Sequence, residues 1–158
     1  MLYYSIGSEV RTDQLISKLL SSGKRVVIPF CLQTSEMGIA EIFDLQRDLV
    51  RGQLGILEPR FELRGNVTPS ELDLIICPGV SFDSAGNRLG RGKAYYDSFL
   101  SAFNGAKPVV GLAFQCQISK KALPADIHDI PMSQIITENG LLLNSELHLS
   151  LSSDSKLV

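Results

Sequence analysis

The chain has 158 residues, of which 15 are basic and 17 acidic, and its formal net charge is −2. This length predicts one globular domain, and the slight negative charge disfavours a nucleic-acid partner. No apolar stretch approaches the ~20 residues of a membrane-spanning helix, and residues 1–6 lack the basic start of a signal peptide. We therefore expect a cytoplasmic protein with no membrane partner.

Three cysteines, Cys31, Cys77 and Cys116, lie far apart in the sequence. Their odd number and their apolar neighbours favour reduced thiols over a disulfide framework. We expect them to act as small buried hydrophobic residues rather than as metal ligands or nucleophiles.

The first half of the chain has a β-α-β rhythm. Residues 2–6 are predicted to form a strand, and Thr12 or Asp13 can cap a helix that Gly23 ends. The apolar face of that helix consists of Leu15, Ile16, Leu19 and Leu20. A strand over residues 26–30, closed by Pro29, and another over residues 39–45 follow, as in a largely parallel sheet.

The second half begins with a long irregular connection over residues 47–70, because glycine and proline interrupt it repeatedly. Residues 72–77 form a nearly continuous apolar run, which predicts a central parallel strand. Residues 108–114, 131–137 and 141–143 predict further strands. A helix is indicated by Tyr95, Tyr96, Phe99, Leu100 and Phe103. The expected fold is α/β: a single three-layer αβα domain over residues 1–149 with a mainly parallel central sheet, followed by a frayed tail at 150–158.

The segment between the apolar run and that helix has the composition of a phosphate site. Its glycines can approach a ligand closely, and a helix start offers unpaired N–H groups. Its three cations have no acidic neighbour in the sequence and can neutralise a triphosphate. These six residues are Gly86, Arg88, Gly90, Arg91, Gly92 and Lys93. The alternative is a flexible turn with solvated cations, since the loop is neither a Walker A sequence nor a dinucleotide fingerprint.

Three residues at the start of the second helix extend this hypothesis. Asp97 lies one turn beyond Lys93, where its carboxylate can hold Mg²⁺ bridging phosphate oxygens. Tyr95 and Tyr96 point in different directions on a helix, so at least one should join the core and the other can stack on a flat ring.

The segment closely resembles the signature of the 5-formyltetrahydrofolate cyclo-ligases, also called methenyltetrahydrofolate synthetases. The resemblance rests on LDLIICPGVSFD at residues 72–83, GNRLGRGK at 86–93 and YYD at 95–97. It extends through residues 9–12, 23–26, 55–59, 111–114 and 128–131 in the order of the family, and so covers roughly residues 1–140.

The resemblance implies a fold of the cyclo-ligase and NagB/RpiA-like type, and ATP- and Mg²⁺-dependent closure of 5-formyltetrahydrofolate to 5,10-methenyltetrahydrofolate. It implies an ATP site at Arg88, Leu89, Gly90, Arg91, Gly92, Lys93, Ala94 and Tyr95. It implies a folate site at Tyr4, Glu9, Arg91, Gly92, Lys93, Ala94 and Tyr95. Arg91 and Lys93 would be catalytic, Asp97 and Asp129 would bind Mg²⁺, and the protein would be a monomer or weak homo-oligomer. Glu9 also suits the start of the first helix, and Asp129 also suits a turn.

The sequence departs from the family pattern in three respects. Members usually begin with a helical leader whose cations reach the nucleotide, and this chain starts at the strand that normally follows it. Ala94 stands where Gly is common, and Ser133 where Asp is common. Two hypotheses remain open at this point: a working cyclo-ligase, or a catalytically weak folate- or nucleotide-binding relative.

Overall fold

The structure is a computed structural model that describes residues 1–32, 36–52, 55–101, 107–127 and 129–143. The helices in these ranges are α1 (Asp13–Ser21) and α2 (Tyr95–Ser101). The strands are β1 (Val26–Cys31), β2 (Met37–Ile42), β3 (Leu49–Arg51), β4 (Leu57–Pro59), β5 (Ile75–Cys77), β6 (Ser81–Phe82), β7 (Arg88–Leu89), β8 (Val109–Leu112), β9 (Gln134–Thr137) and β10 (Gly140–Leu143). No helix in the described part of the chain could cross a membrane. The predicted positions of Phe103 and of the tail at 150–158 lie outside the described residues.

Helix α1 confirms the predicted amphipathic helix. Ile16 is completely buried, and Leu15, Leu19 and Leu20 pack around the same apolar cluster. The helix ends as predicted at Gly23, whose φ of 74° is readily accessible only to glycine. This apolar face fixes α1 against the sheet.

The predicted cap of α1 is only partly right. Thr12 occupies the position before the helix, but its side chain makes no capping hydrogen bond. Instead, its Oγ1 donates to the carbonyl of Tyr3 at 2.7 Å and accepts from the amide of Ser5 at 3.1 Å. Thr12 therefore ties the N-terminal segment to the helix start, which positions both for the site described below.

The first two strands correct the prediction of a largely parallel sheet. β1 and β2 pair antiparallel, with Val26 opposite Ile42. Since five residues join them, the connection is too short for the crossover that parallel strands require. The strand also runs past Pro29 to Cys31 rather than closing there. The predicted strand at 39–45 lies at 37–42.

The main sheet has the order β10-β9-β8-β5 and is mixed. β5, β8 and β9 are parallel, whereas β10 is antiparallel to β9. The predicted strand at residues 2–6 is reduced to a single bridge between Leu2 and Ile76. The amide of Leu2 donates to the carbonyl of Val27, and the amide of Ile76 donates to the carbonyl of Met1. Residues 1–2 thus connect β1 to β5. A three-layer αβα arrangement stays a prediction.

The connection at 47–70 has more regular structure than predicted. β3 and β4 form an antiparallel hairpin with Leu49 opposite Pro59, and 3₁₀ turns follow at Phe61–Leu63 and Pro69–Glu71. This hairpin carries Glu58, whose side chain is 5% exposed. The connection therefore contributes a buried carboxylate to one wall of the site.

Phe82 belongs to the larger apolar cluster and is completely buried. Two glycines make its position possible, because a Cβ on Gly79 would lie 2.5 Å from the Phe82 ring and one on Gly111 2.6 Å from it. Close backbone approach around Phe82 thus anchors the loop that follows β6.

The cysteines agree with prediction in part. All three are free, and Cys77 is completely buried, which raises the pKa of its thiol to about 12. This thiol stays protonated at neutral pH and is a poor nucleophile. The prediction of burial is wrong for Cys116, which is exposed.

Candidate active site

A cavity of about 640 Å³ lies where the N-terminal segment, β1, β4 and the loop before α2 converge. It is lined by all twelve residues that the resemblance assigns to the ATP, folate and metal sites, whereas Gly86 of the predicted phosphate segment is not among its lining residues. The twelve are Tyr4, Glu9, Arg88, Leu89, Gly90, Arg91, Gly92, Lys93, Ala94, Tyr95, Asp97 and Asp129. Residues more than 80 positions apart therefore meet at one concave surface, as expected for a ligand site.

The loop before α2 is a hairpin built on Asp83. Oδ1 of this buried carboxylate accepts the amides of Ala85 and Asn87, and Oδ2 accepts Nδ2 of Asn87 and the amide of Leu123. Burial opposes ionisation of Asp83, but these hydrogen bonds outweigh it and lower its pKa. The loop is therefore anchored from below, which disagrees with a freely flexible turn.

Arg88 lies at the buried base of the cavity. Its side chain is 4% exposed, and its Nη2 donates to Oδ1 of Asp97 at 2.5 Å. The guanidinium carbon lies 5.5 Å from the centre of the Tyr96 ring. Its Nε is buried and has no partner among the described residues. Arg88 thus supports Asp97 from beneath the cavity and leaves one donor unsatisfied.

Arg91 lies at the exposed rim of the same loop. Its side chain is 60% exposed, and its Nη2 donates to Oε1 of Glu9 at 3.1 Å. Oε2 of Glu9 accepts the amide of Ile6 at 2.9 Å. Glu9 therefore joins the N-terminal segment to the loop, and neither of these two partners is an amide of the first turn of α1.

These pairs give two of the three cations acidic partners that are distant in the sequence. The sequence places no acid beside them, but the fold brings Asp97 to Arg88 and Glu9 to Arg91. Lys93 forms no ion pair with any residue that the structure describes; its Nζ lies 6.0 Å from the centre of the Tyr95 ring. The cations thus divide into a buried one, an exposed paired one and an exposed unpaired one.

Ala94 adopts a backbone conformation that favours glycine. Its φ is 50°, and it is the one non-glycine residue with positive φ in the described ranges. A Cβ is therefore accommodated at some cost where the resembled family commonly has Gly. The departure from the pattern changes the strain at this position without removing the left-handed turn.

The two helix tyrosines divide as predicted. Tyr96 packs against the larger apolar cluster, and burial raises the pKa of its phenol well above the usual value. Tyr95 is half-buried and lines the cavity next to Lys93. Its ring is available to stack on a flat ligand.

The two predicted metal ligands line the same cavity, and each has one oxygen bonded to a protein group. Oδ1 of Asp97 is bonded to Arg88, and Oδ2 of Asp129 accepts the amide of Asp126 at 2.8 Å. Across residues 1–143, apart from the positions that the structure does not describe, no three His, Cys, Asp or Glu side chains gather as a metal cage. Two carboxylates fit Mg²⁺, which usually completes its shell with water and substrate phosphates.

A comparison with protein-family models identifies the family of this chain. The model of the 5-formyltetrahydrofolate cyclo-ligase family matches residues 1–138. The chain is a member of this cyclo-ligase family. The resemblance of the loop signature is thereby confirmed.

Curated cyclo-ligases and a solved structure agree with this membership. The 5-formyltetrahydrofolate cyclo-ligase of Escherichia coli is 36% identical over 86% of this chain and 75% of its own length. That of Mus musculus is 32% identical over 88% of this chain and 72% of its own length. The NMR structure of the Aquifex aeolicus 5,10-methenyltetrahydrofolate synthetase has a TM-score of 0.75 and 33% identity, covering 91% of this chain and 70% of that one. The α/β fold is that of the cyclo-ligases.

Sequence reasoning missed two buried carboxylates, one in the wall of this cavity and one beneath its loop. Glu58 was part of the resemblance at residues 55–59, yet no role was predicted for it. Asp83 was part of the signature, but its function as the anchor of the loop appears only in its hydrogen bonds. No signal in the sequence indicates Glu58, because its burial depends on its contacts with Gly52 and Arg64 in the folded chain.

Proposed function

We propose that the protein catalyses the ATP- and Mg²⁺-dependent conversion of 5-formyltetrahydrofolate to 5,10-methenyltetrahydrofolate, ADP and phosphate. The observation that carries the proposal is the convergence of all twelve predicted residues on one cavity. Family membership supports the reaction class, which is ring closure by a ligase.

The reaction requires that a poor leaving group be made a good one. Transfer of the γ-phosphoryl group to the formyl oxygen creates a phosphate ester at the formyl carbon. N10 of the folate then attacks that carbon, the C–O bond to phosphate breaks, and the N10 proton is lost. Phosphoryl transfer depends chiefly on positioning and on stabilisation of charge.

Arg91 and Lys93 are the residues that we assign to the phosphates. Both are exposed on the rim of the cavity, and neither side chain is needed to fill the core. For Arg91 to reach a phosphate, its ion pair with Glu9 has to open, which links the nucleotide and folate sides of the cavity. Tyr95 beside Lys93 offers a ring surface to either ligand.

Asp97 and Asp129 are the residues that would hold Mg²⁺, which when bound supplies positive charge against the phosphate oxygens. Arg88 holds one oxygen of Asp97 and so orients its carboxylate. The remaining assigned residues, Leu89, Gly90, Gly92 and Ala94, contribute backbone close to the ligand.

We also propose that the protein acts in the cytoplasm on small molecules, as a monomer or weak homo-oligomer. The net charge of −2 supports small ligands over nucleic acid, because it gives no broad basic surface.

The test is an assay with purified protein, 5-formyltetrahydrofolate and Mg-ATP, followed by the absorbance of the methenyl product. The proposal predicts product formation that stops when ATP is omitted or EDTA is added. Tight binding of both ligands without product would instead favour the catalytically weak relative. Absence of folate binding would contradict the proposal altogether.

A further inference from the structure

Glu58 is a buried carboxylate in the cavity that has no role in the mechanism above. Its side chain on β4 is 5% exposed, although it lines the cavity. Gly52 makes room for it, because a Cβ at Gly52 would lie 2.4 Å from Oε2 of Glu58. The chain thus accommodates an acid at a place where burial of charge is costly.

The hydrogen bonds of Glu58 leave acceptor capacity. Nη2 of Arg64 donates to Oε2 at 3.2 Å, and Oε1 receives no hydrogen bond from any described residue. Arg64 is itself held by the Phe30 ring, with 4.3 Å between its guanidinium carbon and the ring centre. One long hydrogen bond to one oxygen satisfies little of what a buried carboxylate can accept.

The surroundings of Glu58 suit a flat ring. The neighbouring part of the cavity wall is apolar and consists of Pro29, Phe30, Met37, Ile56 and Leu57. Apolar walls with one polar group fix the orientation of a heterocycle through that group. Glu9, the other glutamate of the cavity, already has a partner on each oxygen.

We propose that Glu58 is the specificity-determining residue that receives the hydrogen-bond-donating edge of the substrate's bicyclic ring, a proposal that rests on the proposed function. The amino group and the adjacent ring N–H of a pterin are two parallel donors, which a carboxylate accepts with both oxygens. Arg64 balances the charge of Glu58. Without nucleotide, Glu9 stays bonded to Arg91 and to the amide of Ile6.

The experiment measures equilibrium binding of 5-formyltetrahydrofolate and of its 2-desamino-2-methyl analogue, without ATP, by calorimetry. The analogue lacks the amino donor and keeps the shape of the ring. Wild-type protein should prefer the parent compound by about 10-fold or more, since one charge-assisted hydrogen bond is lost with the analogue. In Glu58→Gln the amide can accept at one position only, so this preference should fall to within about threefold.

Arg64→Met is the matched control, because it removes the same ion pair and retains the carboxylate. Both variants should lose stability, but Arg64→Met should keep the preference for the parent compound. If Glu58 served only to neutralise Arg64, the two variants would bind alike and the proposal would be overturned. Glu58→Asp, which keeps the charge and shortens the side chain, serves if Glu58→Gln does not fold; it should weaken parent binding and retain the preference.

The outcomes separate the inference from the proposed function. Wild-type protein that discriminates and forms product, together with a Glu58→Gln variant that discriminates equally, overturns the role of Glu58 alone. Wild-type protein that binds neither compound overturns the folate site and the proposed function with it.

Discussion

Arg88 and Arg91 lie three residues apart on one loop, yet their environments are opposite. The Arg88 side chain is 4% exposed and bonded to Asp97 at the base of the cavity, whereas the Arg91 side chain is 60% exposed and paired with Glu9 at the rim. A buried cation is part of the scaffold, since its removal leaves a charge without compensation. An exposed cation contributes little to stability and can turn to a ligand. Neighbouring cations in the sequence can thus have different roles, and the exposed fraction of the side chain distinguishes them.

The largest change in stability is expected at Arg88, the buried cation. Arg88→Met leaves Asp97 without its cation in a mostly buried position and should lower the free energy of unfolding by about 3 kcal/mol. Urea denaturation measures this change. The control is Arg11→Met, which removes an exposed pair with Asp13 and should leave the urea midpoint nearly unchanged. A destabilisation by Arg88→Met no greater than that of the control would show that the base of the cavity is not a scaffold.

The next effect is on the exposed side. Arg91→Ala and Lys93→Ala should each lower kcat/KM by ~100-fold, because each removes a charge that stabilises phosphoryl transfer. Both side chains are exposed, so the urea midpoint should stay where it is in the wild type. Parallel loss of stability and activity in either variant would place these residues with the scaffold and remove the difference from Arg88.

The smallest change in stability is expected at Ala94, which lies between the exposed cations and α2. Ala94→Gly relieves a positive φ but adds freedom to the unfolded chain, so the free energy of unfolding should change by no more than about 1 kcal/mol. ATP affinity measured by calorimetry should be retained or improved, since the left-handed turn is already present. Clearly weaker ATP binding would show that the methyl group of Ala94 contributes to the site.

The sequence predicted those elements whose pattern is local. α1 has one continuous apolar face, and residues 72–77 are apolar except for Asp73. These local patterns located a helix and a strand, of which β5 occupies the second half of the apolar run. The direction in which two strands pair cannot be read from the apolar pattern of either strand. Nothing in residues 26–45 distinguishes a hairpin from a crossover except the short connection, and for that reason the antiparallel β1–β2 pair was mistaken for parallel strands.

The candidate site shows the same division. Glycines and cations close together in the sequence pointed to the loop, and the family resemblance added the distant Glu9 and Asp129. The partners of those cations could not be predicted, because Glu9 is 82 residues from Arg91 and meets it only in the folded chain. The role of Glu58 could not be predicted for a related reason. Its burial depends on Gly52 and Arg64, and no sequence pattern links these residues to Glu58.

The most direct test of nucleotide binding by the rim cations is a crystal structure of the protein with Mg²⁺ and a non-hydrolysable ATP analogue. We expect the triphosphate against Arg91 and Lys93, with Arg91 withdrawn from Glu9 and Arg88 still bonded to Asp97. A nucleotide bound elsewhere, with the Arg91–Glu9 pair intact and the cavity empty, would contradict this expectation.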